Sequence, residues 1–281
     1  MQKDSLQRFI FKDRAVRGAW VYLDESYQTI TGQHHYPPLL STLLGETLLG
    51  VILIASHFKQ QGQTTLQFQG SGTLKLVSAR MTQDHEIRGL VRADPDLISI
   101  KNLQDALHSG QLTLSYEGQH VGQNYQSVID VAEPSIATAL EQYFLRSEQL
   151  PTRFFLARTD QVAAGLLLQM MPAADPDIAR EDFQHATIMA QTLKDAELLT
   201  LSLEEILKRL YPEDDLEAFA SVPISFGCNC TQAKMEQVVR SLGLSEAESI
   251  LEQHAFIEVI CEFCNQSHRF GPERVVEIFK K

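Results

Sequence analysis

All four cysteines of the chain lie near its C-terminal end, as a C-x-C pair (Cys228, Cys230) and a C-x-x-C pair (Cys261, Cys264). The cytoplasm keeps thiols reduced. Four clustered thiols there point to a metal site or redox chemistry rather than a disulfide framework. Zinc takes four ligands in a tetrahedron with Zn–S near 2.3 Å, which sets the sulfurs roughly 3.8 Å apart. A C-x-x-C turn meets that spacing, and C-x-C meets it with less slack. The spacing predicts one zinc ion per chain, held as thiolates by Cys228, Cys230, Cys261 and Cys264. Two features favour a redox switch over a plain structural staple. A C-x-C disulfide closes a very small ring, and strained disulfides tend to be labile and regulatory. Zinc also keeps the sulfurs as thiolates, the reactive form. Oxidation would eject the metal and remove the staple at once.

These cysteines need elements that bring the two pairs together. Cys230 and Cys261 are 31 positions apart, and the stretch between them reads as helix, turn, helix and strand. Thr231 is placed to cap a helix bearing Met235, Val238, Val239 and Leu242, and Gly243 to end it. Ser245 with Glu248 reads as a capping box for the next helix. Ala255–Ile260 reads as a strand leading into Cys261, and Pro272 opens a final helix through Phe279. Residues 226–281 are few for an independent core, and a metal supplies the missing stability. His254 and His268 fall in this unit, but four cysteines already fill the ligand shell.

Residues 173–225 read as an acidic helical linker. Between Asp175 and Glu217 there are 12 acidic and 4 basic residues, a net charge of −8 out of −12 for the whole chain. Phe183, Thr187 and Ala190, then Leu199, Leu203, Ile206, Leu207 and Leu210, recur at helical spacing. Ser202 followed by Glu205 is capping-box-like. Such short helices depend on docking for stability.

Residues 1–172 read as one mixed domain. Strand-like runs occur at Leu6–Phe11, Ala15–Leu23, Thr64–Gln69, Thr73–Ala79, Ile87–Val91, Gln111–Tyr116, Tyr125–Val131 and Arg153–Ala157. Several alternate apolar with polar residues, as half-buried antiparallel strands do. Helices fit Pro37–Phe58 and Pro134–Ser147. The predicted class is α+β: an N-terminal domain with antiparallel sheets, a helical linker, and a small C-terminal zinc-binding domain.

Composition excludes several functions. With 281 residues, 44% hydrophobic and 21% charged, the chain is of ordinary globular type. A net charge of −12 and a pI near 5.2 lack the electrostatic footprint of a nucleic-acid binder. The apolar run Leu39–Ala55 carries Glu46, Gly45 and Gly50, which fits a buried helix rather than a membrane span. Met1–Arg8 is polar and shows no secretory pattern, so a cytoplasmic protein is expected. No P-loop, nucleophile elbow, His-Glu-x-x-His or catalytic carboxylate pair is present, so no enzyme is expected. Gly70-Ser71-Gly72 reads as a hairpin turn, and His34 and His35 as loop residues.

The layout resembles the redox-regulated heat-shock chaperone (chaperonin) family HslO over essentially the whole chain. The resemblance is carried by Cys228-Asn229-Cys230 with Cys261-Glu262-Phe263-Cys264. Val16-Arg17-Gly18-Ala19-Trp20, Tyr36-Pro37-Pro38 and Ser147-Glu148-Gln149-Leu150-Pro151-Thr152-Arg153 carry it too. Gly165-Leu166-Leu167-Leu168-Gln169 matches the family's end-of-domain strand. The resemblance implies an ATP-independent holdase of the bacterial cytoplasm, inactive while reduced and zinc-bound. It implies oxidation to two disulfides, Cys228–Cys230 and Cys261–Cys264, with zinc release and unfolding of the C-terminal unit and linker. It implies unfolded client proteins as partners, a homodimer when oxidised, and hand-over to ATP-dependent chaperones, with neither nucleic acid nor membrane.

Two other readings compete. A thiol–disulfide oxidoreductase would use Cys261 and Cys264, but that pair belongs to a metal site rather than to a thioredoxin-like βαβ unit. A zinc-ribbon adaptor for nucleic acid or the ribosome conflicts with the acidity of the chain.

Overall fold

The chain opens with two strands whose alternation is apolar on both sides. β1 (Ser5–Phe11) and β2 (Val16–Leu23) pair antiparallel. Leu6, Ala19, Val21 and Leu23 enter one core, while Phe9, Phe11, Val16 and Trp20 enter another. This pair is therefore the middle of a sheet covered on both faces. Helix α1 (Glu25–Gly32) follows; Ser26 N–H donates to Asp4 Oδ2 at 2.6 Å. Helix α2 (Pro38–Ala55) has proline in its first turn, where the missing N–H costs nothing.

β3 (Gly62–Gly70), β4 (Leu74–Met81) and β5 (Glu86–Ala93) form an antiparallel meander. Helix α3 (Leu103–Leu107) precedes β6 (Gly110–Gly118) and β7 (Tyr125–Val131), which extend the meander on the β3 side. Helix α4 (Ile136–Tyr143) is capped by Ser135 and runs into a π-helical turn, Phe144–Glu148, ending at Gln149 with φ of 54°. β8 (Thr152–Arg158) and β9 (Ala163–Met170) return to the first sheet, β9 beside β2 and β8 beyond it.

The structure, a computed structural model, describes residues 3–58, 62–94, 102–118 and 123–280. These fall into two compact units, Met1–Phe226 and Gly227–Lys281. In the first, α2 lies between the sheets, touching β2, β8 and β9 on one side and β3, β4 and β5 on the other. Its mean hydropathy of 1.9 would suit a membrane span, yet 67% of it is buried in this core. The buried-helix reading holds. Glu46 sits in that helix, and burial pushes its carboxyl up to about 7, with the Arg158 charge and the Ile136 N–H opposing.

The acidic segment forms α5 (Pro176–Ala190), α6 (Asp195–Thr200) and α7 (Leu203–Leu210), which cover the outer face of the first sheet. Leu203, Ile206, Leu207 and Leu210 are buried there with Phe9, Trp20 and Leu166, each contributing about 2 kcal/mol by burial. Ser202 and Glu205 form the full reciprocal capping box. Trp20, the chain's single tryptophan, is 4% exposed. Phe9 lies opposite Gly18 in the ladder, with the end of its ring where a side chain would be; a Cβ there would lie 2.1 Å from Cζ, so the layer needs glycine at that point.

Beyond α7 the chain turns extended. β10 (Leu216–Ala218) and β11 (Val222–Pro223) pair antiparallel with β1, and β12 (Ser225–Phe226) pairs parallel with β5. Sequence periodicity predicts only helices in 173–225. Strands of two or three residues carry no readable alternation, so these three escape it.

The second unit contains α8 (Gln232–Leu242), α9 (Leu244–Gln253), the hairpin β13 (Ile257–Ile260) with β14 (Ser267–Phe270), and α10 (Pro272–Lys280). Thr231 caps α8 as expected. The capping box expected at Ser245 and Glu248 is a correction: α9 starts at Leu244 with Gly243 as its cap. Gly243 has φ of 85°, so one glycine both ends α8 and begins α9, which leaves Ser245 inside the helix. The core here is small: Val239, Ala247, Ile257, Phe270, Val275 and Ile278.

Candidate metal centre

Cys228 and Cys230 lie in the extended stretch before α8, whose cap, Thr231, follows Cys230 directly. Cys261 and Cys264 lie in the turn that joins β13 to β14. That turn is closed by the Cys261 N–H to Gln266 O at 2.9 Å and the Asn265 N–H to Cys261 O at 2.8 Å. Asn265 takes φ of 55°, which asparagine tolerates well. The helices and hairpin thus fold the two pairs against each other.

The four sulfurs all lie within 4.8 Å of one another. Cys228 Sγ is 3.7 Å from Cys261 Sγ, and Cys230 Sγ is 3.3 Å from Cys264 Sγ. These separations fit the roughly 3.8 Å edge of a tetrahedral thiolate site and exceed the ~2.05 Å of a disulfide. All four cysteines are free thiols. The donor set and its geometry suit a thiophilic cation, and the four cysteines can hold one metal ion.

The environments of the sulfurs differ. Burial opposes the Cys261 thiolate, but the N–H groups of Cys264 and Phe263 aim at this sulfur and draw its pKa down. Burial raises the Cys264 thiol, with Cys230 and Cys228 adding to the rise. Cys230 is raised as well, by burial first and then by Cys228, although Cys264 opposes. Four thiols this close resist simultaneous ionisation unless a cation joins them.

The other candidate residues lie elsewhere. His254 caps the end of α9. His268 is in β14, and among the described residues neither joins the sulfur group. His34 and His35 follow α1 beside Tyr36. Gly70-Ser71-Gly72 does join β3 to β4, and the N–H groups of Ser71 and Gly72 donate to Ser109 O and Leu107 O. Its backbone donors are thus used structurally.

Sequence reasoning missed polar contacts that join distant segments. Arg17 Nε donates to Gln169 Oε1 at 3.0 Å, and Gln169 Nε2 donates to Thr152 Oγ1 at 3.0 Å. This chain ties together three of the motifs quoted above. Arg14 likewise contacts Asp182 and Asp214. Local pattern carries no sign of such pairings.

A two-sheet α+β body with an acidic helical layer, followed by a small four-cysteine unit, defines a protein with a thiol set that can hold a metal ion. The sequence profile of the family described as "Hsp33 protein" matches residues 4–271. The "33 kDa chaperonin" of Hahella chejuensis is 37% identical over 282 residues, covering 99% of this chain and 98% of that protein. The "33 kDa chaperonin" of Shewanella oneidensis is 34% identical over 279 residues, covering 99% and 96%. The crystal structure of the 33 kDa chaperonin (heat shock protein 33 homolog) of Thermotoga maritima superposes with a TM-score of 0.86 at 22% identity, covering 99% of this chain and 98% of that one. The chain belongs to the Hsp33 family. It is the heat-shock chaperone family whose resemblance the sequence carries, and its members are chaperones rather than enzymes.

Proposed function

We propose that the chain is a redox-regulated, ATP-independent holdase of the cytoplasm that captures unfolding proteins under oxidative stress. The observation that carries this reading is the set of four sulfurs within 4.8 Å in a unit whose core, among the described residues, is a small cluster of six buried side chains. Bound zinc would hold the four sulfurs as thiolates and cross-link the two cysteine pairs, supplying on the order of 10 kcal/mol to that unit. In the reduced state Cys228, Cys230, Cys261 and Cys264 are ligands, and the protein is inactive.

Under peroxide, Cys228 joins Cys230 and Cys261 joins Cys264. Each pair loses two electrons, the peroxide is reduced to water, and four ligands become two disulfides that bind no ion. Residues 227–281 then lack the stability that their core alone cannot provide. The acidic segment that leads into them loosens in turn, because its short helices persist only while docked. Apolar surface of the first sheet is uncovered and holds client chains. The active form is a homodimer and passes clients on to ATP-dependent chaperones.

Light scattering of a heat-denatured client tests the reading. Peroxide-treated protein should suppress aggregation, and reduced, zinc-loaded protein should not. Equal activity of both forms, or of neither, would overturn it.

A further inference from the structure

One short piece of chain holds an edge of each sheet in the first unit. From Asp215 to Phe226 it runs extended, first along β1 and then onto β5. Main-chain bonds fix it: Lys12 N–H to Asp215 O at 2.8 Å, Phe219 N–H to Arg8 O at 2.8 Å, and Ile224 N–H to Asp4 O at 3.0 Å. In register, Leu216 lies opposite Phe11 and Ala218 opposite Phe9. Even the Gln7 side chain donates to a main-chain oxygen, Phe219 O, at 2.8 Å.

Where the strap runs along β1, its side chains contribute little, while further on Ile224 is buried in the main core with Phe226 packed beside it. Every residue from Glu217 to Ser221 is exposed, Phe219 at 38%. A short ladder with few buried apolar contacts belongs to the least stable parts of a fold. The β1 edge therefore holds residues 216–221 mainly through their backbone, beside two aromatic side chains and with few buried side chains to keep them there.

We propose that residues 215–226 occupy the client site. An extended segment of an unfolded polypeptide adds to the edge of β1 as a new strand once the strap has left. This rests on the holdase reading and gives that activity a place and a mode. The strap itself shows the occupant: main chain in β conformation, with small or apolar side chains where it passes Phe9 and Phe11. A ladder reads backbone, so many sequences fit. Folded proteins rarely offer a free strand, so selectivity for unfolded chains follows from geometry.

The test uses the full-length, peroxide-activated protein, a heat-denatured client, and two synthetic peptides. One has the sequence of residues 214–226. The other is identical but N-methylated at Phe219 and Ile224, which deletes two ladder donors and keeps every side chain. The plain peptide should compete with the client and restore light scattering. The methylated peptide should need about tenfold more to do so, since each lost bond weakens the ladder. Failure of the plain peptide to compete, or equal potency of the two, would overturn the proposal. Activated protein that suppresses no aggregation without peptide would instead sink the holdase reading, and the client site with it.

Discussion

Arg14 and Asp214 are joined across 200 residues of sequence, with Arg14 Nε 2.5 Å from Asp214 Oδ1. The same guanidinium reaches Asp182 Oδ1 at 3.3 Å. His185 Nε2 lies 3.2 Å from the other Asp214 oxygen, and the Ala15 N–H donates to Asp182 Oδ2 at 2.9 Å. One cation in the β1–β2 connection thus serves two carboxylates of the acidic layer whose side chains are 12% and 9% exposed. Burial opposes the Asp214 charge, yet Arg14 and His185 hold its carboxyl below the usual range.

Arg14→Ala should loosen the helical layer. It strands two carboxylates, and because Arg14 is itself 32% exposed the cost is discounted to about 1–3 kcal/mol. Hydrogen exchange in α5 and α7 should quicken in the reduced protein, while β3, β4 and β6 keep their protection. Unchanged exchange in α5 would show that the apolar stripe alone holds the layer.

Metal content is a direct check on the thiol site. Reduced protein should bind about one zinc ion per chain. Serine at any one of Cys228, Cys230, Cys261 or Cys264 should weaken binding by orders of magnitude and cost residues 227–281 their helical signal in circular dichroism. Four single variants with unaltered affinity would exclude the assignment.

Disulfide mapping by mass spectrometry tests the switch. The expected products are Cys228–Cys230 and Cys261–Cys264. The sulfurs also meet across the pairs, Cys228 with Cys261 at 3.7 Å and Cys230 with Cys264 at 3.3 Å, so bridges between pairs are the competing products. A dominant Cys228–Cys261 or Cys230–Cys264 product would mean that oxidation locks the unit instead of releasing it.

Glu46 should give the stability of the first unit a pH dependence. Its folded value is raised from 4.5 to about 7 by burial, so the folded state favours the protonated form. The stability this contributes is present in full below pH 4.5 and is lost as pH rises to about 7, a change of about 3 kcal/mol at most. Glu46→Gln should flatten that slope in urea titrations between about pH 5 and 8. A slope identical to the parent's would assign the effect to another group.

How much of this is legible in the sequence depends on range. The cluster of four cysteines is, because the spacing within each pair is a local property. The long strands and α2 are legible as well, since alternation and an unbroken apolar run show within a single window. Helix α1 is not: Glu25–Gly32 buries only Ser26, Tyr27 and Ile30, too few to mark a face. β10, β11 and β12 exist only because β1 and β5 offer them edges. The Arg14–Asp214 and Arg17–Gln169 pairs depend on strand register, which no short pattern encodes. Ser245 misleads for the opposite reason, since its capping signal is sound but Gly243 begins the helix ahead of it.

Trp20 has a consequence for spectroscopy. Its ring lies under the α5–α7 layer, and its indole N–H has no hydrogen-bond partner among the described residues. Indole emission shifts to the red when the ring meets water. Because the chain has no other tryptophan, every photon of indole emission comes from the seam between the first sheet and its helical cover. The protein thus carries an intrinsic optical gauge of that seam, readable in a cuvette without a label while oxidant is added.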